Sequence, residues 1–227
     1  MKIVCLIPAR GGSKGIPKKN IIDFGGKPLV AHSVEQALGS KYIDFVYVSS
    51  DNEEILEVGS KYGAIPLVRS PELSDDYATL EALVINFLTI VQDADIIVML
   101  QPTSPLRTSQ DIDNAIEVFF NQGVDSLFSA VGLEDFFIWE RNDSGKLRSV
   151  NYDFENRRRR QDIRGQFVEN GSIYVFKPSV VLEYNNRLGG KIGYYLMDKW
   201  KIHEIDTEED LEICKFLYKL KGLDYEE

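Results

Sequence analysis

Short, continuously apolar runs separated by helix-length amphipathic segments set the tightest limit on what this chain can fold into. Ile3–Ile7 (Ile-Val-Cys-Leu-Ile) and Ile96–Leu100 (Ile-Ile-Val-Met-Leu) contain no charged or amide side chain. A strand with one face in water alternates polar and apolar residues, so unbroken runs of this length mark strands buried on both faces. Asp44–Ser49, Ile65–Val68 and Asp125–Val131 read as further strands. Helices are predicted between them. The first runs from Pro28, which suits a first turn, to about Leu38. The second starts from a cap at Ser50 or Asp51, carries Ile55, Leu56 and Val58, and stops near Gly63. The third is Ala78–Val91, with Leu80, Leu83, Val84, Phe87 and Leu88 on one stripe, and the fourth covers 109–121 through Ile112, Ala115, Ile116 and Phe119. This order predicts an α/β fold, a doubly wound and mostly parallel sheet in a single domain over 1–227. Ligands of such sheets sit beyond the carboxyl ends of the strands, so the loops after Ile7, Ser49, Val68 and Leu100 should share one cleft.

The alternation stops from about Gly132 to Phe167, a polar stretch ending in arginines, which reads as an excursion from the sheet. Gly171–Phe176 and Ile192–Met197 return to strand character, and Thr207–Leu220 closes the chain as an amphipathic helix. The 36 acidic against 26 basic residues give a net charge of -10, which repels a polyanion and excludes a general nucleic-acid binder. Cys5 and Cys214 each lie in an apolar stretch without disulfide or metal-ligand spacing, which suits a reducing compartment. The apolar run at the N-terminus is too short for a signal peptide or a membrane span, so a cytosolic protein without a membrane partner is expected. His32 and His203 are too few and too far apart for a zinc site, and His32 reads as a packed polar residue of a helix.

The most informative segment follows the first strand: Pro8-Ala-Arg-Gly-Gly-Ser-Lys-Gly-Ile-Pro-Lys-Lys-Asn20. Glycines let backbone N–H groups approach an anion, Arg10, Lys14 and Lys19 supply positive charge, and Ser13 and Asn20 add neutral donors. A triphosphate requires this combination. The Walker pattern is absent because Gly15 is followed by Ile-Pro, and Gly11, Gly12 and Gly15 do not space as a dinucleotide fingerprint, which disfavours a nicotinamide cofactor.

Three further constellations carry chemistry. Glu204-Ile205-Asp206, if extended, projects both carboxylates to one face, as a magnesium ligand pair or as a solvated face before a helix cap at Thr207. Gln101-Pro-Thr-Ser-Pro-Leu-Arg107 follows a buried strand; its prolines fix the loop and leave Gln101, Thr103 and Ser104 to bond a polyhydroxylated ligand, or form a structural turn. Arg157–Arg160 is a solvated basic run or a carboxylate-recognition element, for which the planar guanidinium is suited.

The segment 8–20 resembles the N-terminal signature of the acylneuraminate cytidylyltransferase family. Five more stretches match that family in order: Arg69-Ser-Pro-Glu-Leu with Asp76-Tyr-Ala78, the loop 100–107, Arg159-Arg-Gln-Asp162, Asn170-Gly-Ser-Ile-Tyr174, and Glu204-Ile-Asp-Thr207. The resemblance covers nearly the whole chain. It implies a nucleotidyltransferase fold of Rossmann-like type with a dimerisation excursion at about 132–167. It also implies transfer of CMP from CTP to a nine-carbon sugar acid such as N-acetylneuraminate or legionaminate, with release of pyrophosphate. By residue, it implies nucleotide contacts from Arg10, Gly11, Ser13, Lys14, Lys19, Asn20, Arg69, Asp76 and Ala78, with Arg10, Lys14 and Asp206 catalytic. Sugar contacts fall to Gln101, Thr103, Ser104, Arg160, Gln161, Asn170 and Tyr174, with Arg160 and Gln161 reaching a neighbouring subunit of a homodimer. Mg²⁺ is the implied cofactor, on Asp206 and Glu204. Glu204 departs from the family's Asp-x-Asp, Val168-Glu169 from an Arg-Pro, and Arg187-Leu188 from a pair of phenylalanines that can line the sugar pocket. The rivals are an eight-carbon Kdo cytidylyltransferase, which lacks the Gly-Gly-Ser-Lys-Gly and Arg-Arg-Gln-Asp runs, and a catalytically idle nucleotide-sugar binder on the same fold.

Overall fold

The computed structural model describes residues 1–75, 77–133, 136–159 and 165–223. In chain order the elements are β1 (Ile3–Pro8), β2 (Asp23–Phe24), β3 (Lys27–Pro28), α1 (Leu29–Leu38), β4 (Phe45–Ser50), α2 (Glu53–Lys61), β5 (Ile65–Val68), α3 (Leu80–Ile90), β6 (Ile96–Leu100) and α4 (Ser109–Gln122). They continue with β7 (Ser126–Gly132), β8 (Trp139–Arg141), β9 (Leu147–Ser149), β10 (Phe167–Phe176), α5 (Pro178–Tyr184), β11 (Ile192–Met197) and α6 (Glu208–Leu220). Seven strands form the central sheet in the order β11-β7-β10-β6-β1-β4-β5. All are parallel except β10, which runs antiparallel to both β6 and β7. The mostly parallel, doubly wound sheet expected from the sequence is present.

Alternation across the pleat explains the two cores. Ile3, Cys5 and Ile7 face α1, α2 and α4 in one cluster with Ile96, Val98 and Leu100. Val4 and Leu6 face α3 and α5 on the other side with Ile97, Met99, Val84, Phe87 and Val181. A third cluster, of Ile16, Phe24, Leu29, Leu106, Ile205, Cys214 and Tyr218, fastens α6 beside the turn that follows β1. At roughly 25 cal/mol per Å² of apolar area, such fully buried side chains supply the main drive to fold.

The caps refine the sequence reading. The N-cap of α2 is Asn52, whose side chain accepts from Ile55 N at 3.2 Å. Ser50 and Asp51 are drawn elsewhere: the Ser50 hydroxyl accepts from Asn52 N, and Asp51 accepts from Gly11 N at 2.8 Å. Pro28 caps α1 rather than opening it. Thr108 and Thr207 form capping boxes with Asp111 and Asp210, starting α4 and α6 abruptly. The expected excursion contains the β8–β9 hairpin, which pairs only with itself. Among the described residues, no helix is long and apolar enough to cross a membrane.

Strand β10 is longer than expected because it carries a bulge. Its pairing with β7 jumps between Glu169, opposite Ala130, and Tyr174, opposite Phe128, which leaves the four residues Asn170, Gly171, Ser172 and Ile173 without a register partner on β7. Gly171 takes φ +66°, a conformation that costs glycine nothing. The bulge faces the ligand edge of the sheet.

Candidate active site

A cleft of about 570 Å³ opens beyond the carboxyl ends of β1, β5 and β6. It is lined by Arg10, Ser13, Lys14, Gly15, Lys19 and Asn20 of the glycine turn and by Arg69 after β5. Ala78, Gln101 and Thr103 line it too, and Asp206 completes the wall. Three of the four loops expected to converge do so directly. The fourth contributes Asp51, which fixes Gly11 at the mouth of the turn.

The turn is anchored at both ends. Ala9 N donates to Ser49 O at 2.9 Å, and the buried Asn20 carboxamide donates to Arg10 O at 2.8 Å, closing the loop on itself. Lys18 takes φ 54°, which turns its side chain out to Glu54 and leaves Lys19 facing inward. Lys19 Nζ donates to Asp206 Oδ1 at 2.7 Å, across 187 residues of sequence. Gly15 lies so close to the acidic segment that an added Cβ would stand 2.1 Å from the Asp206 carbonyl oxygen. Only glycine permits that approach. The cationic turn and the distant Asp206 carboxylate therefore share one site, and Glu204 lies behind it rather than on the cleft wall.

Glu204 and Asp206 flank Ile205, which is fully buried and whose N–H donates to Thr103 O at 2.7 Å. This hydrogen bond aligns the acidic segment with the Gln101–Arg107 loop. The Glu204 carboxyl rests on the bulge: a Cβ on Gly171 would fall 2.2 Å from Glu204 Oε1. Burial and then the neighbouring Asp206 push the Glu204 carboxyl up to about 7. Two carboxylates held together with too little positive charge are a good fit for a divalent cation. Among the described residues no group of three or more His, Cys, Asp or Glu side chains is arranged to hold a metal ion by itself. Magnesium is normally held by one or two carboxylates plus substrate phosphates and water, which this pair can supply.

Arg69 is buried, and donates to Ser49 O at 2.8 Å. Burial, together with nearby Arg10, lowers its guanidinium to about 10, so it stays charged at neutral pH. Asp75 Oδ1 accepts from Tyr77 N and Ala78 N at 2.9 and 2.7 Å and thereby shapes the wall at Ala78. Asp76, Arg160 and Gln161 lie outside the described residues.

Other expected contacts sit behind the cleft rather than on it. Ser104 is 3% exposed. Asn170 is also buried; its amide donates to Lys201 O at 3.0 Å while its carbonyl accepts from Ser129 Oγ. Tyr174 is buried in β10, where its hydroxyl donates to Glu169 and Arg187 lies 4.4 Å over its ring. Arg187 in turn pairs with Glu81 at 2.5 Å, so the position that departs from the aromatic pattern is occupied by an ion pair.

Arg107 is the residue whose role the sequence did not disclose. It is 1% exposed and donates to the carbonyls of Gln101, Ser104 and Ser172 at 2.8, 3.0 and 3.3 Å, and to Ser33 Oγ. One planar cation thus gathers the loop after β6 and the bulge of β10. An arginine ending a proline-fixed loop was the only available signal.

The chain matches the family model described as Cytidylyltransferase over residues 4–227. It is 39% identical over 230 residues to a pseudaminic acid cytidylyltransferase of Campylobacter jejuni strain 81-176, covering 97% of each chain. It is 36% identical over 216 residues to N-acylneuraminate cytidylyltransferase A of Danio rerio, covering 94% of this chain and 50% of that protein. Its fold is similar to that of a CMP:2-keto-3-deoxy-manno-octonic acid synthetase complexed with CTP, with a TM-score of 0.74, 18% identity, and coverage of 97% of this chain and 100% of that one. The glycine turn, the carboxylate pair and the match along almost the whole chain lead to one statement: this chain belongs to the cytidylyltransferase family.

Proposed function

We propose that the protein transfers CMP from CTP to the anomeric hydroxyl of a sialic-acid-like nine-carbon 2-keto sugar acid, releasing pyrophosphate. The observation that carries this reading is the meeting of Arg10, Ser13, Lys14 and Lys19 with Asp206 in one cleft. Relatives named for pseudaminic and N-acylneuraminic acids support the substrate class. The eight-carbon acid is supported only by a fold likeness at 18% identity.

In this mechanism the sugar hydroxyl oxygen attacks the α-phosphorus in line, and the bond to the bridging oxygen breaks to free pyrophosphate. Phosphoryl-type transfers depend on positioning and charge neutralisation more than on covalent catalysis. The amides of the glycine turn and the Ser13 hydroxyl hold the triphosphate, while Arg10 and Lys14 stabilise negative charge that grows on the α-phosphate and leaving group. Arg69 and the wall at Ala78 read the base, and Gln101 and Thr103 orient the sugar acid. Arg160 and Gln161 are assigned to the acid's carboxylate from a second subunit. Magnesium, when bound, screens the triphosphate and polarises its P–O bonds, with Asp206 and Glu204 as its protein ligands.

A homodimer in a reducing, cytoplasmic setting completes the proposal. Support comes from the excursion, where Phe136, Trp139, Leu147 and Phe154 are each between 43% and 58% exposed, an apolar surface that a second copy could cover. Light scattering on the purified protein tests the dimer; a monomer at all working concentrations sinks it. Pyrophosphate release from CTP with a panel of nine-carbon and eight-carbon acids tests the reaction. Turnover with a nine-carbon acid and little with Kdo is expected. No pyrophosphate with any acid would overturn the assignment.

A further inference from the structure

The acidic segment that carries Glu204 and Asp206 has no strand of its own to hold it in register. Ile205 N–H ties its middle to Thr103 O, and a second anchor lies three residues upstream. Lys201 is 8% exposed, and its Nζ donates to Asp111 Oδ2 at 2.5 Å. Asp111 is buried too, and the same oxygen accepts from Thr108 N at 2.7 Å and from Thr108 Oγ1 at 2.9 Å, in the capping box that starts α4. Thr108 follows directly on Arg107, the cation that gathers the Gln101–Arg107 loop. Tyr195 closes the other side, its hydroxyl 3.3 Å from Asp111 Oδ1.

Lys201 also works through its backbone. Its carbonyl oxygen accepts from Asn170 Nδ2 at 3.0 Å, the first residue of the bulge against which Glu204 rests. Three parts of the site therefore meet at one buried pair: the loop after β6, the bulge of β10 and the segment 204–206. None of these atoms lines the cleft.

A buried ion pair is a poor source of net stability, because desolvation offsets most of the attraction, and its best-attested use is to specify register. We propose that Lys201 is a positioning residue for the cytidylyl transfer: through Asp111, and together with the Ile205–Thr103 hydrogen bond, it sets the offset between the acidic segment and the Gln101–Arg107 loop. The inference rests on the transferase reading given above. Both charges are buried, so the segment seats where Asp111 can pair with the Lys201 ammonium. Misplacement of a site by about 1 Å costs up to roughly a hundredfold in rate.

The test compares wild type with Lys201→Met, Lys201→Arg and Lys177→Met. The last breaks the Lys177–Asp125 pair, which lies at the amino end of β7, away from the cleft end of the sheet. Three quantities are measured: CTP binding by calorimetry with magnesium present and no sugar acid, KM and kcat for pyrophosphate release, and the thermal midpoint. Lys201→Met should bind CTP roughly tenfold more weakly and raise its KM by a similar factor. Lys201→Arg should recover most of the loss, and Lys177→Met should bind CTP as wild type does. A cooperatively folded Lys201→Met with wild-type CTP affinity and KM overturns the inference. Should that variant fail to fold, Lys201→Gln is measured in the same way, and unchanged CTP affinity again overturns it. A wild type that binds CTP but turns over no acid removes the transferase reading alone, since the binding comparison still stands.

Discussion

At the scale of single residues, the site depends on how closely unlike groups are brought together. Asp206 is exposed and lies on a segment without regular structure, so its carboxylate contributes little to the fold. It does accept from Lys19, and it stands over Gly15 in the cleft. Asp206→Ala should leave the thermal midpoint within a degree or two and lower kcat/KM by at least about a hundredfold, the scale of losing one preorganised electrostatic contact. Steady-state pyrophosphate release alongside a melting curve checks both halves; a variant with wild-type turnover takes Asp206 out of the mechanism. Lys19 shows why such pairs are hard to read in one dimension. Nothing in Lys18-Lys19 says which lysine turns inward, and the decision falls to the left-handed backbone of Lys18, visible only in three dimensions.

At the scale of elements, the helices and the central-sheet strands up to β7 were legible because each is short and strongly patterned, whereas the two-residue strands β2 and β3 carry no such pattern. The direction of β10 was not. A continuously apolar strand buried on both faces reads the same way parallel or antiparallel, and only its partners decide. The short helix α5 was also missed, though Pro178 at its start is the kind of residue that opens one. Of the stretch Asn170-Gly-Ser-Ile-Tyr174, the resemblance implies sugar contacts from Asn170 and Tyr174. In the structure its small and amide residues make a bulge that seats Glu204, with the Asn170 amide donating to Lys201 O, and room for a ligand and room for the protein's own side chain look alike in sequence. Arg107 is the clearest element-scale device, since one guanidinium fixes a loop to a bulge. It is fully buried, and burial lowers it to about 10, so it remains charged at neutral pH. Lysine offers a point charge in place of a planar fork, so Arg107→Lys should strand several carbonyl oxygens. The expected loss is about 2–4 kcal/mol of unfolding free energy, read from urea denaturation. A loss below the error of the extrapolation would show that the loop and bulge hold each other without it.

At the scale of the whole molecule, an aromatic cluster outside the sheet locks the C-terminal helix α6 to the N-terminal part of the chain. His32 on α1 stands edge to face with Phe24 at 5.1 Å and with Tyr218 of α6 at 5.5 Å between ring centroids. A ring nitrogen donates to Phe24 O at 2.6 Å. Sequence placed His32 correctly as a packed polar residue, but the partner at 218 could not be named, because contacts between the two ends of a chain leave no local pattern. This cluster gives the fold a pH limit. Burial lowers His32 below the ordinary histidine value of 6.5; the hydrogen bond to Phe24 opposes that shift, Lys27 and Arg107 add to it, and Glu35 works against it. The unfolded chain therefore binds a proton at His32 more readily than the folded one does. Stability rises with pH wherever the unfolded state holds more protons, so this contribution is intact above about 6.5 and is lost progressively as pH falls below it. His32→Gln keeps an N–H donor for Phe24 O and removes the titration. Urea midpoints measured from pH 5 to 8 (roughly the range in which an ordinary histidine changes charge) should then show a shallower decline on the acidic side than wild type. Parallel curves for the two proteins would mean that protonation at His32 is not what loosens the seam between the two ends of the chain.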